Sequence, residues 1–418
     1  MILTTKHEEA LPSWHLLLLP SIQQPSTHEA VKNAYHQSLT TVLRILHDES
    51  LRHRDVTLII AVTCSVVVDA GLQWEKAQSL LAGLYSLVAL TCAEQGIETD
   101  IGAGLGSVDT RVLLMNSTSS QVPTEAGQDI EGTFKNTVVD LATLATRFHP
   151  WMNIFHPDSE FGRQLLSAYL KLADPAHPIG HDQIVVVQGG IDISTRLEGS
   201  DDEMGALVAG FDAVCLGGTF DHLHPGHKLL LHASALLLRP PPRGSGNQCV
   251  LVVGISGDEL LVNKKYALEL EPWESRARSV LSFLSTILDL ATLQISTASF
   301  DAQTDSDGIR WTFRDGTILV RCARLHDGYG PTISEEPLNA LCVSQETRSG
   351  GKAINDKRNS KGWSAMEVFE IDVLNANTVD NASRAGTTSQ EARDLDQFAG
   401  KISSTIIRQR RAEARNTA

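Results

Sequence analysis

No C-x-x-C pair occurs in this 418-residue chain, and its six cysteines (Cys64, Cys92, Cys215, Cys249, Cys322, Cys342) are scattered. That spacing offers neither a zinc cluster nor a disulfide framework. Several of the six fall in apolar strand-like runs, so they read as reduced core residues of a reducing compartment. No run of eighteen apolar residues exists, so no membrane span is expected. Leu16 to Leu19 is too short for a signal-peptide core, and Glu8 and Glu9 stand where positive charge would be needed. Placement is therefore expected to be cytoplasmic, with the nucleus left open. Basic charge is scarce: 35 Lys and Arg face 50 Asp and Glu, a net −15. A general nucleic-acid or anionic-membrane surface is not expected, and any grip on a polyanion has to be local. No G-x-x-x-x-G-K-[ST] occurs either, so no P-loop kinase is encoded.

What is present concentrates in Gly217-Gly218-Thr219-Phe220-Asp221-His222-Leu223-His224-Pro225-Gly226-His227. An apolar run, Val214 to Leu216, precedes it, and a strongly helix-forming run from Lys228 to Leu238 follows. The segment therefore reads as strand, glycine-bearing turn and helix, with Pro225 at the first helical position. Free N–H groups and the positive end of the helix dipole then meet at one point, a ready site for phosphate. His224 and His227, three apart, share one side of that helix start. The alternative, a metal site from Asp221, His222, His224, His227 and His232, is disfavoured. His227 and His232 sit on different helix faces, and no cysteine assists. No metal ligand is assigned.

Further segments follow in order: Val253 to Leu261; Asn263-Lys264-Lys265; Glu271-Pro272-Trp273-Glu274-Ser275-Arg276-Ala277-Arg278; Asp327 to Thr332; Val343-Ser344-Gln345-Glu346-Thr347; Gly350-Gly351-Lys352-Ala353-Ile354-Asn355; Glu370-Ile371-Asp372-Val373-Leu374; and Lys401 to Arg408. The glycine–histidine motif resembles the phosphate loop of the nucleotidylyltransferase superfamily. With the downstream segments, residues 210 to 415 resemble the eukaryotic phosphopantetheine adenylyltransferases of coenzyme A biosynthesis, most closely their fungal single-activity form. The motif alone does not choose the base. Another nucleotidylyltransferase such as a cytidylyltransferase, or a weakly active scaffold of coenzyme A enzymes, therefore stays in view.

The resemblance implies attack by the phosphate of 4′-phosphopantetheine on the α-phosphorus of ATP, giving dephospho-coenzyme A and pyrophosphate. The nucleophile is already ionised, so the protein needs donors and cations and no general base. The catalytic candidates are His227 and His224, which would donate to the α-phosphoryl oxygens, and Lys264 and Lys265, one or the other of which would reach over the phosphates. Thr219, Phe220 and Asp221 are expected at the acceptor substrate. Gly218, Ser403, Ser404, Thr405 and Arg408 are expected at ATP, the last four as a helix start holding the β- and γ-phosphates. Mg²⁺ is expected as cofactor with ATP, held by phosphate oxygens and water. The paired lysines could instead mark a solvated face, and Ser403-Ser404-Thr405 an ordinary N-cap. Arg410, Arg411 and Arg415 read as solvated. The kinase completing coenzyme A would be a separate protein, a possible partner with other enzymes of that route.

The expected fold class is α/β: a Rossmann-like doubly wound parallel sheet preceded by an N-terminal α/β domain. The N-terminal domain is placed at 1–197 without a catalytic motif, an acidic linker at 198–210, and the nucleotidylyltransferase domain at 211–418. Strands are expected at His15 to Pro20, Val56 to Cys64, Arg111 to Met115 and Ile184 to Gln188. Helices are expected at Ala30 to Leu46, Trp74 to Glu94, Phe134 to Phe148 and Glu160 to Leu172. Ala302 to Gly316 reads as an insertion and 375–394 as a flexible insert. Gly102-Ala103-Gly104-Leu105-Gly106 lacks the last glycine of a dinucleotide fingerprint and leads into an extended run, so it reads as a turn.

Overall fold

The computed structural model describes residues 13–22, 27–52, 55–68, 71–100, 104–116, 137–147, 151–173, 175, 178–190, 206–290, 303–305, 308–371 and 403–417. Residues 198–205 of the expected linker and the expected insert at 375–394 lie outside them.

The first strands, β1 (Ser13–Leu19) and β2 (Val56–Cys64), are near-continuous apolar runs, as parallel strands covered on both faces require. Between them runs α1 (His28–Ser50), whose N-cap Thr27 accepts from the Ala30 N–H at 3.1 Å. A two-residue hairpin, β3 (Val67–Val68) with β4 (Gly71–Leu72), leads into α2 (Trp74–Gln95), closed by Gly96 at φ 71°. Then come β5 (Val108–Asn116), α3 (Leu141–Arg147), β6 (Asn153–Pro157), α4 (Glu160–Leu172) and β7 (Ile184–Val187). The sheet runs β5-β2-β1-β6-β7, all parallel. By order along the chain that is third, second, first, fourth, fifth.

The second sheet uses β8 (Ala213–Gly218), β9 (Cys249–Ser256), β10 (Gln303–Asp305), β11 (Gly308–Phe313), β12 (Ile318–Leu325), β13 (Ala340–Ser344) and β14 (Glu367–Ile371). Helices α5 (Pro225–Leu236), α6 (Trp273–Leu288) and α7 (Arg348–Ser360) connect or flank them, and α8 (Ser404–Thr417) closes the chain. The order is β10-β11-β12-β9-β8-β13-β14. The five parallel members again run third, second, first, fourth, fifth, with β11 and β10 added antiparallel at one edge. The protein is α/β and doubly wound as expected, and the same winding occurs twice.

Several boundaries differ from expectation. The region read as an insertion at 302–316 supplies β10 and β11, an edge hairpin of the second sheet. β11 carries a strand alternation, Ile309-Arg310-Trp311-Thr312-Phe313, whereas the three polar residues of β10 carry none. Within 134–148, the described helix spans only Leu141–Arg147. Asp140 accepts from the Thr143 N–H at 2.6 Å, capping the helix there and ending it upstream. The end of the supposed linker is paired backbone: Val208 and Leu72 exchange bonds of 2.9 and 3.0 Å. Gly104 and Gly106 carry positive φ of 95° and 84°, as a turn requires; Gly102 and Ala103 lie outside the described residues.

The two sheets share one core. Leu81 and Tyr85 of α2 belong to the same buried cluster as Leu229 and Leu236 of α5. Helix α2 is long and apolar enough to cross a membrane by length and composition. Most of its apolar residues are consumed in that core.

Candidate active site

β8 delivers the chain to the carboxyl edge of the second sheet beside β13, where the strand order reverses. Open α/β sheets bind ligands at such a point. The turn that follows is tightly wound, with Phe220 and His222 at positive φ of 52° and 48°. A Cβ at Gly218 would lie 3.0 Å from the Phe220 ring, a tight contact that favours glycine at the start of the turn. Thr219 remains half-buried at the mouth.

His224 is the N-cap of α5. Its Nδ1 accepts from the Gly226 N–H at 3.2 Å, and Pro225 follows at the first helical position. With Nδ1 accepting, the ring proton of neutral His224 belongs on Nε2, where it can be donated. His227 stacks on it with ring centroids 4.0 Å apart, and Phe220 packs against the other ring at 5.3 Å. Burial lowers the His224 imidazole to about 4. Burial, with His224 and His222 nearby, pushes His227 well below the usual histidine value. The free protein therefore presents two neutral imidazoles, and among the described residues His227 Nδ1 is buried without a partner.

Beneath the loop lies a buried charge cluster. Asp221 is fully buried; its Oδ1 accepts from the Glu271 N–H at 2.9 Å and its Oδ2 pairs with Arg408 at 2.6 Å. His222 donates its backbone N–H to Glu271 at 2.8 Å, and its ring lies between Asp100, at 3.5 Å, and the Glu269 carbonyl, at 2.8 Å. Burial opposes protonation of His222, but Asp100, Asp221 and Glu271 outweigh it and raise the imidazole above its ordinary value. Burial likewise opposes ionisation of Asp100, yet His222 and Arg411 hold that carboxyl low. Burial raises Glu271.

Helix α8 is seated on this cluster. Ser404 donates to the Asp221 carbonyl at 2.9 Å, and the Ser403 carbonyl caps the helix by accepting from Ile406 and Ile407. Arg408 also donates to the Lys265 carbonyl and the Thr405 hydroxyl. The structure thus brings Ser403, Ser404, Thr405 and Lys265 to the glycine–histidine loop, while Lys264 and Lys265 keep exposed side chains.

Three expectations need correction. Phe220 and Asp221 are fully buried, one packing under His227 and the other anchoring α8, and neither faces the mouth. Arg408 is not a free cation: it is 3% exposed and neutralises Asp221. Arg411 and Arg415 are not simply solvated, since they pair with Asp100 and Glu269 at 2.6 Å each. Arg410 pairs with Glu98 at 3.1 Å.

Other residues that hold the loop escaped sequence reasoning. Buried Arg276 donates to the carbonyls of Thr219 at 2.7 Å, Ser256 at 2.9 Å and Glu271 at 3.0 Å, and to Asp258 at 2.6 Å. It thereby ties together the ends of β8 and β9. Its segment was visible in the sequence, but its role was not. Asp100, more than a hundred residues from the motif, carries no local signal at all.

Asp221, His222 and Glu271 bring ligand atoms within 4.8 Å of one another. A guanidinium already supplies the countercharge at Asp221, whose second oxygen is also bonded. This donor set does not fit Mg²⁺.

Residues 5–193 match a family model described as a domain of unknown function, DUF8446. Similar proteins include an uncharacterized protein of Schizosaccharomyces pombe, 30% identical over 216 residues, or 52% of each chain. A phosphopantetheine adenylyltransferase of Saccharomyces cerevisiae is 32% identical over 198 residues, 47% of this chain and 48% of that one. One of Thermococcus kodakarensis is 26% identical over 186 residues, 44% of this chain and 90% of that one. The chain is distantly related to these proteins. It spans about half the length of the first two, 52% and 48%.

Proposed function

We propose that this chain transfers the adenylyl group of ATP to 4′-phosphopantetheine, releasing pyrophosphate and dephospho-coenzyme A. The observation that carries the reading is the stacked, neutral His224–His227 pair at the start of α5, with the Nε2 proton of His224 available for donation. The relatives named phosphopantetheine adenylyltransferase support a nucleotidyltransferase-like enzyme.

In this reading a phosphate oxygen of the acceptor attacks the α-phosphorus in line. The bond from that phosphorus to the bridging oxygen breaks, and pyrophosphate leaves with the electron pair. His224 and His227 donate to the α-phosphoryl oxygens as charge builds there, the kind of preorganised donation worth most in a water-poor site. Thr219 and the positive end of the α5 dipole receive the acceptor phosphate. Lys264 and Lys265 meet the triphosphate as point charges, and the N-terminus of α8 faces its far end. Arg408 acts indirectly, by holding α8 against Asp221. Mg²⁺ would arrive with ATP, bound by phosphate oxygens and water, and it neutralises triphosphate charge.

The test is turnover of the purified chain with 4′-phosphopantetheine and either ATP or CTP, followed as pyrophosphate. ATP-dependent release is expected. Preference for CTP would make the chain a cytidylyltransferase, and no release with either nucleotide would favour a scaffold.

A further inference from the structure

We propose that the N-terminal unit is a positioning part of the nucleotide site, acting through the Asp109 carboxylate on Lys228. The proposal rests on the adenylyltransferase reading for its chemistry, but not for its geometry.

Helix α5, which carries both histidines, has no solvent face. Every residue of it except His227 is buried. A helix apolar all round has to be covered on all sides; the second sheet covers one side of α5 and α2 of the N-terminal unit another. Trp74 of α2 donates its indole N–H to the Ala233 carbonyl at 3.3 Å, and Tyr85 stands edge-on to His232.

Lys228 follows His227 directly, about 100° further round the helix axis. Its side chain is fully buried, and all three ammonium donors are used on the N-terminal unit: Asp109 Oδ1 at 2.6 Å, the Thr110 carbonyl at 3.1 Å and the Thr99 carbonyl at 3.2 Å. The other oxygen of Asp109 takes a bidentate contact from Arg111, at 2.9 and 2.7 Å. Arg111 in turn reaches the Ser282 carbonyl at 2.7 Å and the Thr286 hydroxyl on α6. Burial opposes ionisation of Asp109, but Arg111 and Lys228 outweigh it and hold the carboxyl low. One carboxylate on β5 therefore links α5, which bears the histidines, to α6, whose Arg276 holds the Thr219 carbonyl.

The N-terminal unit repeats the winding of the second sheet without its chemistry. After β1 the chain reads Pro20-Ser21-Ile22 and α1 opens with His28-Glu29-Ala30. No glycine pair precedes that helix, no second histidine completes a pair, and Glu29 puts negative charge in the first turn, where an anion would be repelled. What this unit contributes to the site is the surface that clamps α5.

The experiment uses full-length variants. Asp109→Asn leaves the shape but weakens the hold on Lys228; Leu144→Ala, in a separate core cluster of the same unit, serves as a control for destabilisation alone. At a temperature where every variant is folded, Asp109→Asn should lower kcat at least tenfold with KM for ATP within threefold. Leu144→Ala should keep its kcat. Should Asp109→Asn fail to fold, Asp109→Leu with Lys228→Met removes both charges and carries the same expectation. Histidine ring NMR of the nucleotide-free chain reads the geometry without turnover: the His224 and His227 resonances should shift with Asp109 and not with Leu144. Unmoved resonances together with full turnover would overturn the proposal, as would equal losses in the control. If the wild-type chain transfers no adenylyl group, the adenylyltransferase reading has failed and the resonances alone decide this one.

Discussion

Arg408 and Asp221 lie 187 residues apart and meet in a buried ion pair of 2.6 Å. That contact joins the C-terminal helix to the glycine–histidine loop. It makes the helix part of the loop's support, although the arginine was expected to serve as a free phosphate ligand.

Removing one partner leaves the other charge buried and unpaired. Arg408→Ala is therefore expected to cost about 3–5 kcal/mol, or to release α8 from the loop. Arg415→Ala breaks a half-exposed pair with Glu269 and should cost no more than about 1 kcal/mol. Urea denaturation of the two variants checks the contrast. Adding Asp221→Asn to Arg408→Ala should recover part of the loss, because the orphaned charge is gone. Equal effects from the two arginines would show that α8 is held by diffuse charge alone.

Cap and donor can be separated at His224. Alanine there removes both the Gly226 contact and the imidazole, costing about 0.5–2 kcal/mol of stability along with activity. Asparagine is a good N-cap, so His224→Asn should keep the melting temperature yet remain poorly active. His227→Ala should cut kcat by roughly two to three orders of magnitude with little change in stability. Turnover within threefold of wild type would remove His227 from the chemistry.

Thr219 sits half-buried at the mouth while its neighbour Phe220 is sealed in the core. Thr219→Val keeps the shape and loses the hydroxyl, so affinity for 4′-phosphopantetheine should fall more than affinity for ATP. Calorimetric titration with each ligand decides; loss confined to ATP would mean the two phosphate sites are interchanged.

Acid should weaken the fold in a defined window. Burial lowers His232 to about 3 and His224 to about 4, so the unfolded chain binds more protons than the folded one below the ordinary histidine value. Stability is then full above about pH 6.5 and falls as pH drops toward 4, at about 1.4 kcal/mol per pH unit for each such group. His222, raised by its carboxylate neighbours, contributes stability that is full below about pH 6.5 and is lost as pH rises through its folded value, so it leaves the acid limb unchanged. His232→Phe, beside Tyr85, should flatten the acid limb by one group's share, measured as melting temperature between pH 6.5 and 4.5. An unchanged slope would show that His232 does not titrate with unfolding.

Much of the fold was legible because the signals are local. β2 and α4 were placed residue for residue, since an apolar run and a Ser159 cap act within a few positions. The hairpin of β10 and β11 was not, although Ile309 to Phe313 alternates apolar and polar; only the three-residue edge strand β10 is defined by its partner alone. At the site, the turn, the Pro225 helix start and the histidine pair were all readable from eleven consecutive residues. Phe220 and Asp221 were legible as important and misread as to role, since burial is invisible in a motif.

By itself the sequence determined the strand–helix alternation, the glycine-bearing turn and the placement of His224 and His227 on one side of a helix start. Each depends on backbone preferences and spacing within about a dozen residues. Only the tertiary structure decided that Asp100 and Asp109 reach the motif from the first unit, that Lys228 is clamped across 119 residues of sequence and that Arg408 is consumed by Asp221. These contacts are buried charge pairs whose partners are chosen by how two sheets pack around α5, and no local pattern encodes that choice.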